Sequence, residues 1–393
     1  MGDSIGHSEE AGHRKRGAIL GAIVADAASM GLHWIYDVER IRKAGGVEPE
    51  FKDPDPANYE GVQGYFAHGQ KRSGDLSNYG EQLLVMLRTL SQNKGFYNGR
   101  KYQKNFRDHF GPGGPYQGYI DAPTRDTLKN LEAIEAEAIE KAAMVEIGTD
   151  DELKGMLVRK ILPNVKIYEG EELRKRVDTA IRITIDDDEI VKKGFSIMES
   201  LEDGLKGYCG ADDQQLPAIS KLPPLIACHA GTGKLEDVIE DAVRVTNNND
   251  LAVPFAFAAG KIIENAILGE SVAGAIQSAL QIESDEVSRQ LIKGIQAAKK
   301  DSIEVIGEFG RDCGLRQGMA GALQILASAN SYKQAVRTNI LAGGDSCGRA
   351  ILIGSVMGAV HGIATSNGIP LEWIVRLNET HTIVTLVERC LFL

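Results

Sequence analysis

Small and apolar residues recur at the spacing of a helix near the start of the chain. Residues 17–32 read GAILGAIVADAASMGL and carry almost no charge. Gly17, Gly21, Ala25 and Ala28 recur at helical spacing along this stretch. The pattern therefore predicts a buried helix with a smooth face that can press closely on another helix.

Several later stretches have the same apolar, helix-favouring character. Ser77 precedes the first of these stretches and is its predicted N-cap. Gly269 lies between the second and the third, which predicts two helices joined as a hairpin. The last carries Gly354, Gly358 and Gly362 at intervals of four. Because glycine in a helix interior costs about 1 kcal/mol relative to alanine, this stripe indicates a second smooth face. The predicted helices span 80–90, 251–268, 272–280, 318–329 and 349–363.

Strand signals are few, so the predicted fold class is all-α. Val, Ile and Thr alternate only in short pieces such as 181–185 and 382–387, and no βαβ alternation is present. The charged segment 127–204 is typical of amphipathic outer helices, because no Pro-, Gly- or Ser-rich linker isolates it as a domain. We expect a flexible N-terminal tail over residues 1–16 and a single multi-helix domain over residues 17–393.

Charge and cysteine usage narrow the functional classes. The 393 residues include 44 basic and 55 acidic side chains, for a formal net charge of −11, which disfavours nucleic acid and membrane surfaces as partners. No apolar run approaches the ~18 residues of a membrane span, and residues 1–16 lack the apolar core of a signal peptide. The five cysteines are scattered without a CxxC pair, which indicates reduced thiols and a cytoplasmic location.

Polar side chains lie in or at the edges of the apolar helices. Asp26 lies inside the first one and needs a partner, because an unpaired buried carboxylate is costly. Ser77, Asn78 and Tyr79 stand at the start of the second, and Asp345 precedes the last. Helix N-termini suit phosphates and other anions. From the residues alone, Asp345 is either a metal ligand or a capping residue, and composition favours the cap.

Together these segments resemble the ADP-ribosylglycohydrolase family. The matches follow the family's order over nearly the whole chain, from residue 17 to about residue 364. The first match is GAILGAIVADAASMGLHWIYD at 17–37. Residues 77–90 lie where the family has a Thr-Asp-Asp motif, and residues 246–268 are similar to its Thr-His plus Ala-rich helix. Residues 343–362 are similar to its Gly-Gly-Asp-x-Asp-Thr loop.

Three shorter segments point to one branch of this family. They read LHWIYD, GYIDA and ADDQQLP, at 32–37, 118–122 and 211–217. These forms resemble the branch that contains the jellyfish J-type lens crystallins and their non-lens relatives.

The departures from the family pattern affect its metal site. The family's enzymes hold two divalent cations with carboxylates and threonines, and hard cations need several anionic oxygens. By this resemblance Asp345 is the one survivor of five motif carboxylates. The substituted motif positions are His33, Ser77, Asn78, Tyr79, Cys347 and Gly348. The carboxylates that could compensate are Asp75, Glu81, Asp121, Asp212 and Asp213.

The resemblance implies a site, and its residues are expected to converge on one cleft. Those that we expect to meet there are Asp26, His33, Ser77, Asn78, Tyr79 and Asp345. The expected catalytic residues are Asp345, His33 and Asp26. The expected ligand-binding residues are Ser77, Asn78, Tyr79, Tyr119, Asp121, Cys347 and Arg349. The expected metal ligands are Asp345, Ser77 and Asn78, for one magnesium ion at most or none.

Three functional hypotheses follow. The first is a family member that binds or slowly hydrolyses ADP-ribose-like or nucleotide-sugar ligands, as a monomer or homodimer. The second is a non-catalytic, abundant soluble protein such as a lens crystallin. The third is altered chemistry without the metal pair, with His33, Asp345 and a Cys347 thiolate stabilised at a helix start. For Cys347 a buried inert thiol is the favoured alternative.

Overall fold

The computed structural model describes residues 2–133 and 209–392. Across these two ranges the chain folds into helices joined by loops, with isolated β-bridges but no strand, so the predicted all-α fold class is confirmed. The helices are α1 (Gly2–Ser29), α2 (Val38–Gly45), α3 (Asn78–Gln92), α4 (Gly99–Phe110), α5 (122–133), α6 (Pro217–Ser220), α7 (Leu222–His229), α8 (Leu235–Thr246), α9 (Ala252–Leu268), α10 (Val272–Ala279), α11 (Asp285–Gln296), α12 (Ser302–Phe309), α13 (Leu315–Ser328), α14 (Tyr332–Ala342), α15 (Ser346–His361), α16 (Leu371–Ile374) and α17 (Thr380–Phe392).

The glycine faces of α1 and α15 pack directly on each other. A Cβ atom added at Gly21 would lie 2.2 Å from the Gly354 carbonyl oxygen, and one added at Gly17 would lie 2.2 Å from that of Gly358. The two predicted smooth faces are therefore one interface, in which backbone contacts backbone. Gly362 is not part of it, because it ends α15 with a φ of 73°.

Local signals in the sequence set the ends of several helices. The Ser77 hydroxyl accepts hydrogen bonds from the backbone N–H groups of Tyr79 and Gly80, as expected of an N-cap. Gly269 ends α9 with a left-handed φ of 108°, and α10 begins three residues later. The predicted hairpin is therefore confirmed.

The two ends of the chain meet on the surface of the helical core. Helix α1 begins at Gly2, so it extends beyond the expected boundary at residue 17, and the flexibility of residues 1–16 stays a prediction. The Arg16 guanidinium pairs with Glu388 at 2.7 Å and lies 4.1 Å from the centre of the Phe392 ring. The piece 382–387 lies within α17 and is helical.

Two further expectations concern the charged middle segment and the cysteines. Most of the expected outer helices at 127–204 lie outside the described residues, although α5 is helical up to residue 133. All five cysteines are free thiols. Within the described ranges, none of the helices combines the length and the hydropathy that a membrane crossing requires.

Candidate functional site

The centre of the candidate site is the Asp345 carboxylate, which is fully buried. His33, just after the turn that ends α1, lies with Nε2 3.0 Å from Asp345 Oδ1. Tyr79, in the first turn of α3, donates its hydroxyl to Asp345 Oδ2 at 2.8 Å. Asp345 is also the N-cap of α15 and accepts the Gly348 N–H at 2.9 Å. The interpretation of Asp345 as a capping residue is thus correct. Its carboxylate also joins the end of α1, the start of α3 and the start of α15.

The surroundings of Asp345 favour an ionised carboxylate beside neutral rings. Burial opposes ionisation, but the hydrogen bonds from His33, the Gly348 N–H and Tyr79 oppose this effect, and the pKa of Asp345 is lowered. Burial also lowers the pKa of His33, and the attraction of Asp345 offsets this only in part. Burial raises the pKa of Tyr79 well above its usual value. The imidazole is therefore neutral at neutral pH and the phenol keeps its proton.

A second histidine, His68, extends this cluster. Its Nε2 atom lies 2.8 Å from His33 Nδ1, and its side chain is 1% exposed. Sequence reasoning missed His68, because it belongs to a loop without a motif and lies 35 residues from His33. Neither apolar spacing nor the family resemblance singles it out.

Asp26 finds its partner at the start of α3. It accepts the Ser77 backbone N–H at 2.9 Å and also the Ser77 hydroxyl. Burial raises its pKa to about 7, against the lowering effect of these hydrogen bonds. A Cβ atom at Gly80 would collide with the Asp26 carboxylate at 2.0 Å. The residue after Tyr79 therefore has to be small for α1 and α3 to meet here.

Asn78 leads to a neighbouring group of buried polar side chains around Asp121. The Asp121 carboxylate accepts hydrogen bonds from Asn78 Nδ2 at 2.9 Å, from Gln82 Nε2 at 3.3 Å and from the Thr124 backbone N–H at 2.8 Å. Burial raises the pKa of Asp121, although these bonds oppose the shift. Among the described residues, no group donates to the amide oxygens of Asn78 and Gln82.

Lys221 is a fully buried lysine near this group. It donates to Thr246 Oγ1 and lies 3.3 Å from Asn247 Oδ1. Burial lowers its pKa to about 7, while the charges of Asp121 and Asp213 act in the opposite direction. When protonated, Lys221 therefore places a positive charge near the buried Asp121 and the half-buried Asp213.

Cys347 and Arg349, both expected to bind ligand, are buried in the first turn of α15. The Cys347 thiol lies 3.7 Å from the Asp26 carbonyl oxygen, and burial raises its pKa well above the usual value. This favours the inert thiol over the thiolate. Arg349 donates to Asn339 Oδ1 at 2.9 Å and to the Gly343 carbonyl oxygen at 2.6 Å. It therefore holds the loop that precedes Asp345.

Three aromatic residues cover one side of the cluster. The Trp34 ring stacks on the His33 ring with centroids 4.2 Å apart. The Tyr119 ring meets the Trp34 ring edge-on, with centroids 5.1 Å apart. Tyr65 lies 5.4 Å from Tyr119 and is 54% exposed, whereas Trp34 is 5% exposed. Trp34 also has a φ of 62°, which is unusual for a residue with a side chain. The rings therefore connect the buried cluster to the surface.

Of the six residues expected to converge on one cleft, His33 and Tyr79 contact Asp345 and Ser77 contacts Asp26, whereas the Asn78 side chain contacts Asp121. The side chains of all six are at most 1% exposed, so none of them faces an open cleft. A pocket of about 290 Å³ lies elsewhere along α3, lined by Lys71, Glu81 and His109 among others. None of the expected site residues lines this pocket.

The donor set of the cluster does not suit a pair of divalent cations. Both Asp345 oxygens are engaged by protein donors, and the Ser77 hydroxyl is shared between Asp26 and two backbone N–H groups. Of the three expected metal ligands, Asn78 alone has a buried oxygen without a donor. Throughout 2–133 and 209–392, no three His, Cys, Asp or Glu side chains are grouped so that they could hold a metal ion.

Comparison with known proteins identifies relatives over the whole chain. The sequence model of the ADP-ribosylglycohydrolase family matches residues 8–393. Crystallin J1A of Tripedalia cystophora is 29% identical over 386 residues, which cover 97% of each chain. Crystallin J1B of the same organism is 27% identical over 373 residues, covering 94% of this chain and 93% of the relative.

A solved structure has the same fold. It is described as an ADP-ribosylglycohydrolase-related protein complex, and it superimposes with a TM-score of 0.54 over 98% of both chains. The sequence identity is 15%, so this likeness concerns the fold alone.

Proposed function

Since the chain belongs to the ADP-ribosylglycohydrolase family, we propose that it binds ADP-ribose-like ligands and at most slowly hydrolyses them, with a degenerate two-metal site. A metal-activated water needs open carboxylate oxygens around the cation. In this chain both oxygens of the Asp345 carboxylate accept hydrogen bonds from the protein's own donors. Binding of a ligand does not require the lost carboxylates, so the chain can keep ligand binding while metal-dependent hydrolysis is lost.

The hydrogen bonds of Asp345 carry this proposal. Its two oxygens accept from His33, Tyr79 and the Gly348 N–H. A cation at Asp345 would compete with these three donors for the same two buried oxygens, and a displaced donor left unpaired in the interior costs about 1–3 kcal/mol. The substitutions at positions 33 and 79 therefore both remove acidic ligands and block the surviving one.

The aromatic residues beside the cluster support ligand binding. Tyr65 and Tyr119 offer ring faces and edges near the surface, and Trp34 links them to His33. Aromatic rings stack on nucleobases with about 1–3 kcal/mol per base. A nucleotide-sugar ligand would place its base or a sugar face against these rings.

The test is calorimetric titration of ADP-ribose into the purified chain, with and without chelator. We expect binding that chelator does not change, and a loss of about tenfold or more in affinity for Tyr119→Ala. Phe96→Ala is the matched control, since Phe96 is an aromatic residue 71% exposed elsewhere on the surface. Absence of binding, or binding abolished by chelator, would contradict the proposal.

A second candidate function is that of an abundant, non-catalytic soluble protein with a crystallin-like structural role. It is favoured by two relatives named crystallins that match over nearly their full length. Such a role requires solubility at high concentration and no ligand. Quantitative mass spectrometry of the source tissue distinguishes it: a structural role predicts that this chain ranks among the major soluble proteins, and a low copy number contradicts it.

The five free thiols support a cytoplasmic location as part of the same proposal, because reduced cysteines persist in that compartment. Fractionation of cells that express the tagged chain tests this expectation. Recovery in the secreted or membrane fraction would contradict it.

A further inference from the structure

We propose that Cys228 and Cys390 form a redox-responsive pair, in which hydrogen peroxide converts two neighbouring thiols into a disulfide that joins α7 to α17. The two residues are 162 positions apart in the sequence, and no sequence pattern marks them as a pair. The inference does not depend on the proposed function, because it concerns a different part of the molecule and a different chemistry.

The two cysteines contact each other where α7 and α17 end. Cys228 is in the last turn of α7, and its thiol donates to the Cys390 carbonyl oxygen at 3.6 Å. The Cys228 thiol and burial together raise the pKa of Cys390, and the first of these effects acts only between neighbouring groups. The sulfur of Cys228 is thus within reach of Cys390 before any oxidation takes place.

Helix packing holds Cys390 in this position. Ile383, Val387 and Cys390 are the buried residues of α17, and they lie on one face at helical spacing. The Cys390 thiol donates to the Val387 carbonyl oxygen at 3.3 Å. A Cβ atom added at Gly95, in the loop after α3, would lie 2.5 Å from the Cys390 carbonyl oxygen and 3.7 Å from Cys228 Sγ. The pair is therefore held between α7, α17 and this loop.

The difference in exposure sets the order of the chemical steps. Cys228 is half-buried and Cys390 is buried, so a peroxide molecule, which is little larger than water, reaches Cys228 first. The Cys228 thiolate attacks one peroxide oxygen, becomes a sulfenic acid and releases hydroxide. The Cys390 sulfur then attacks Cys228 Sγ, which forms the S–S bond and expels the hydroxyl group. The proton of each thiol ends on a departing hydroxide, so the thiols lose two electrons and the peroxide becomes two water molecules.

The disulfide fastens α17 to the helical core. In the reduced chain α17 is attached through its buried face and through the ion pair between Glu388 and Arg16. A covalent link between positions so far apart in sequence restricts the unfolded chain strongly, and it therefore favours the folded state. In a reducing compartment the thiols persist until an oxidant appears, so the pair stabilises the fold in response to oxidation.

The experiment treats the full chain, purified under reducing conditions, with a graded excess of hydrogen peroxide. After alkylation of the remaining thiols, peptide mapping by mass spectrometry should show a link between the Cys228 and Cys390 peptides that dithiothreitol removes. The oxidised chain should unfold at a temperature about 3–8 °C higher than the reduced chain. Cys228→Ser should abolish the link and the shift, and Cys313→Ser should keep both. Cys313 is the matched control, because it is also half-buried and its sulfur lies 3.2 Å from Trp34 Nε1.

A trapping reagent tests the order of the two steps. Dimedone reacts with sulfenic acids, so after peroxide treatment it should label Cys228 in the Cys390→Ser variant and leave Cys390 unlabelled in the Cys228→Ser variant. Peroxide treatment that leaves both thiols free, or that links either of them to another cysteine, would overturn the pairing. This result comes from the wild-type chain and holds even if Cys390→Ser does not fold. A link formed without any rise in the unfolding temperature would show that the disulfide does not fasten α17.

Discussion

His33 Nε2 lies 3.0 Å from Asp345 Oδ1, although 312 residues separate them in sequence. His33 follows α1 and Asp345 begins α15, and these two helices are joined along their glycine faces. The contact between the helices thus sets the central hydrogen bond of the site. Stability and site geometry are therefore coupled in this protein, and a change at either should affect both.

Asp345→Asn should destabilise the fold while keeping its size. The asparagine side chain has one accepting oxygen and one donating NH2 group, so it cannot accept from both His33 and Tyr79. One of these two buried donors therefore loses its partner. We expect a loss of about 2–4 kcal/mol in the free energy of unfolding, measured by urea denaturation. Asp285→Asn, at an exposed position in the first turn of α11, should change it by less than about 0.5 kcal/mol. Equal effects of the two variants would contradict the central role of Asp345.

Gly21→Ala and Gly12→Ala should have opposite effects, although both lie in α1. An added Cβ at Gly21 meets the Gly354 carbonyl oxygen at 2.2 Å, whereas at Gly12 the nearest atoms are in the Phe392 ring at 3.4 Å. Overpacking against backbone costs about 1–3 kcal/mol or more, and alanine at a helical position with room for its methyl group gains about 0.5–1 kcal/mol. Thermal or urea unfolding of the two variants checks this. A tolerated Gly21→Ala would mean that α1 and α15 are less closely packed.

Lys221 should make stability increase with pH above neutrality. Burial lowers its pKa from 10.5 to about 7, so between these values the folded chain binds fewer protons than the unfolded chain. The free energy of unfolding then rises with pH, by at most about 1.4 kcal/mol per unit. Urea denaturation from about pH 7 to about pH 9 measures the slope. Lys221→Met should flatten it, and an identical slope in wild type and variant would contradict a low pKa.

The sequence allowed the helical framework to be predicted because its signals are local. Ser77 as N-cap, Gly269 as helix break and the two glycine faces each depend on a few neighbouring positions. The pairing of the two faces with each other was not predicted, because a stripe of small residues indicates close approach without naming the partner.

The candidate site was predicted in part. The family resemblance brought Asp26, Ser77 and Asp345 together, and the structure places them in one cluster. The burial of these side chains was not foreseen, since it depends on how helices distant in sequence pack around them. His68 could not be found from sequence, because its role arises from a single contact across a loop.

The central claim is that Asp345 is satisfied by protein donors and that no two-metal centre forms. Equilibrium dialysis of the purified chain against excess manganese or magnesium, followed by elemental analysis, measures this most directly. The account predicts no tightly bound divalent cation, or one at most, and no metal-dependent release of ADP-ribose from an ADP-ribosylated substrate. Two bound ions per chain, together with robust turnover that disappears in Asp345→Ala, would contradict it.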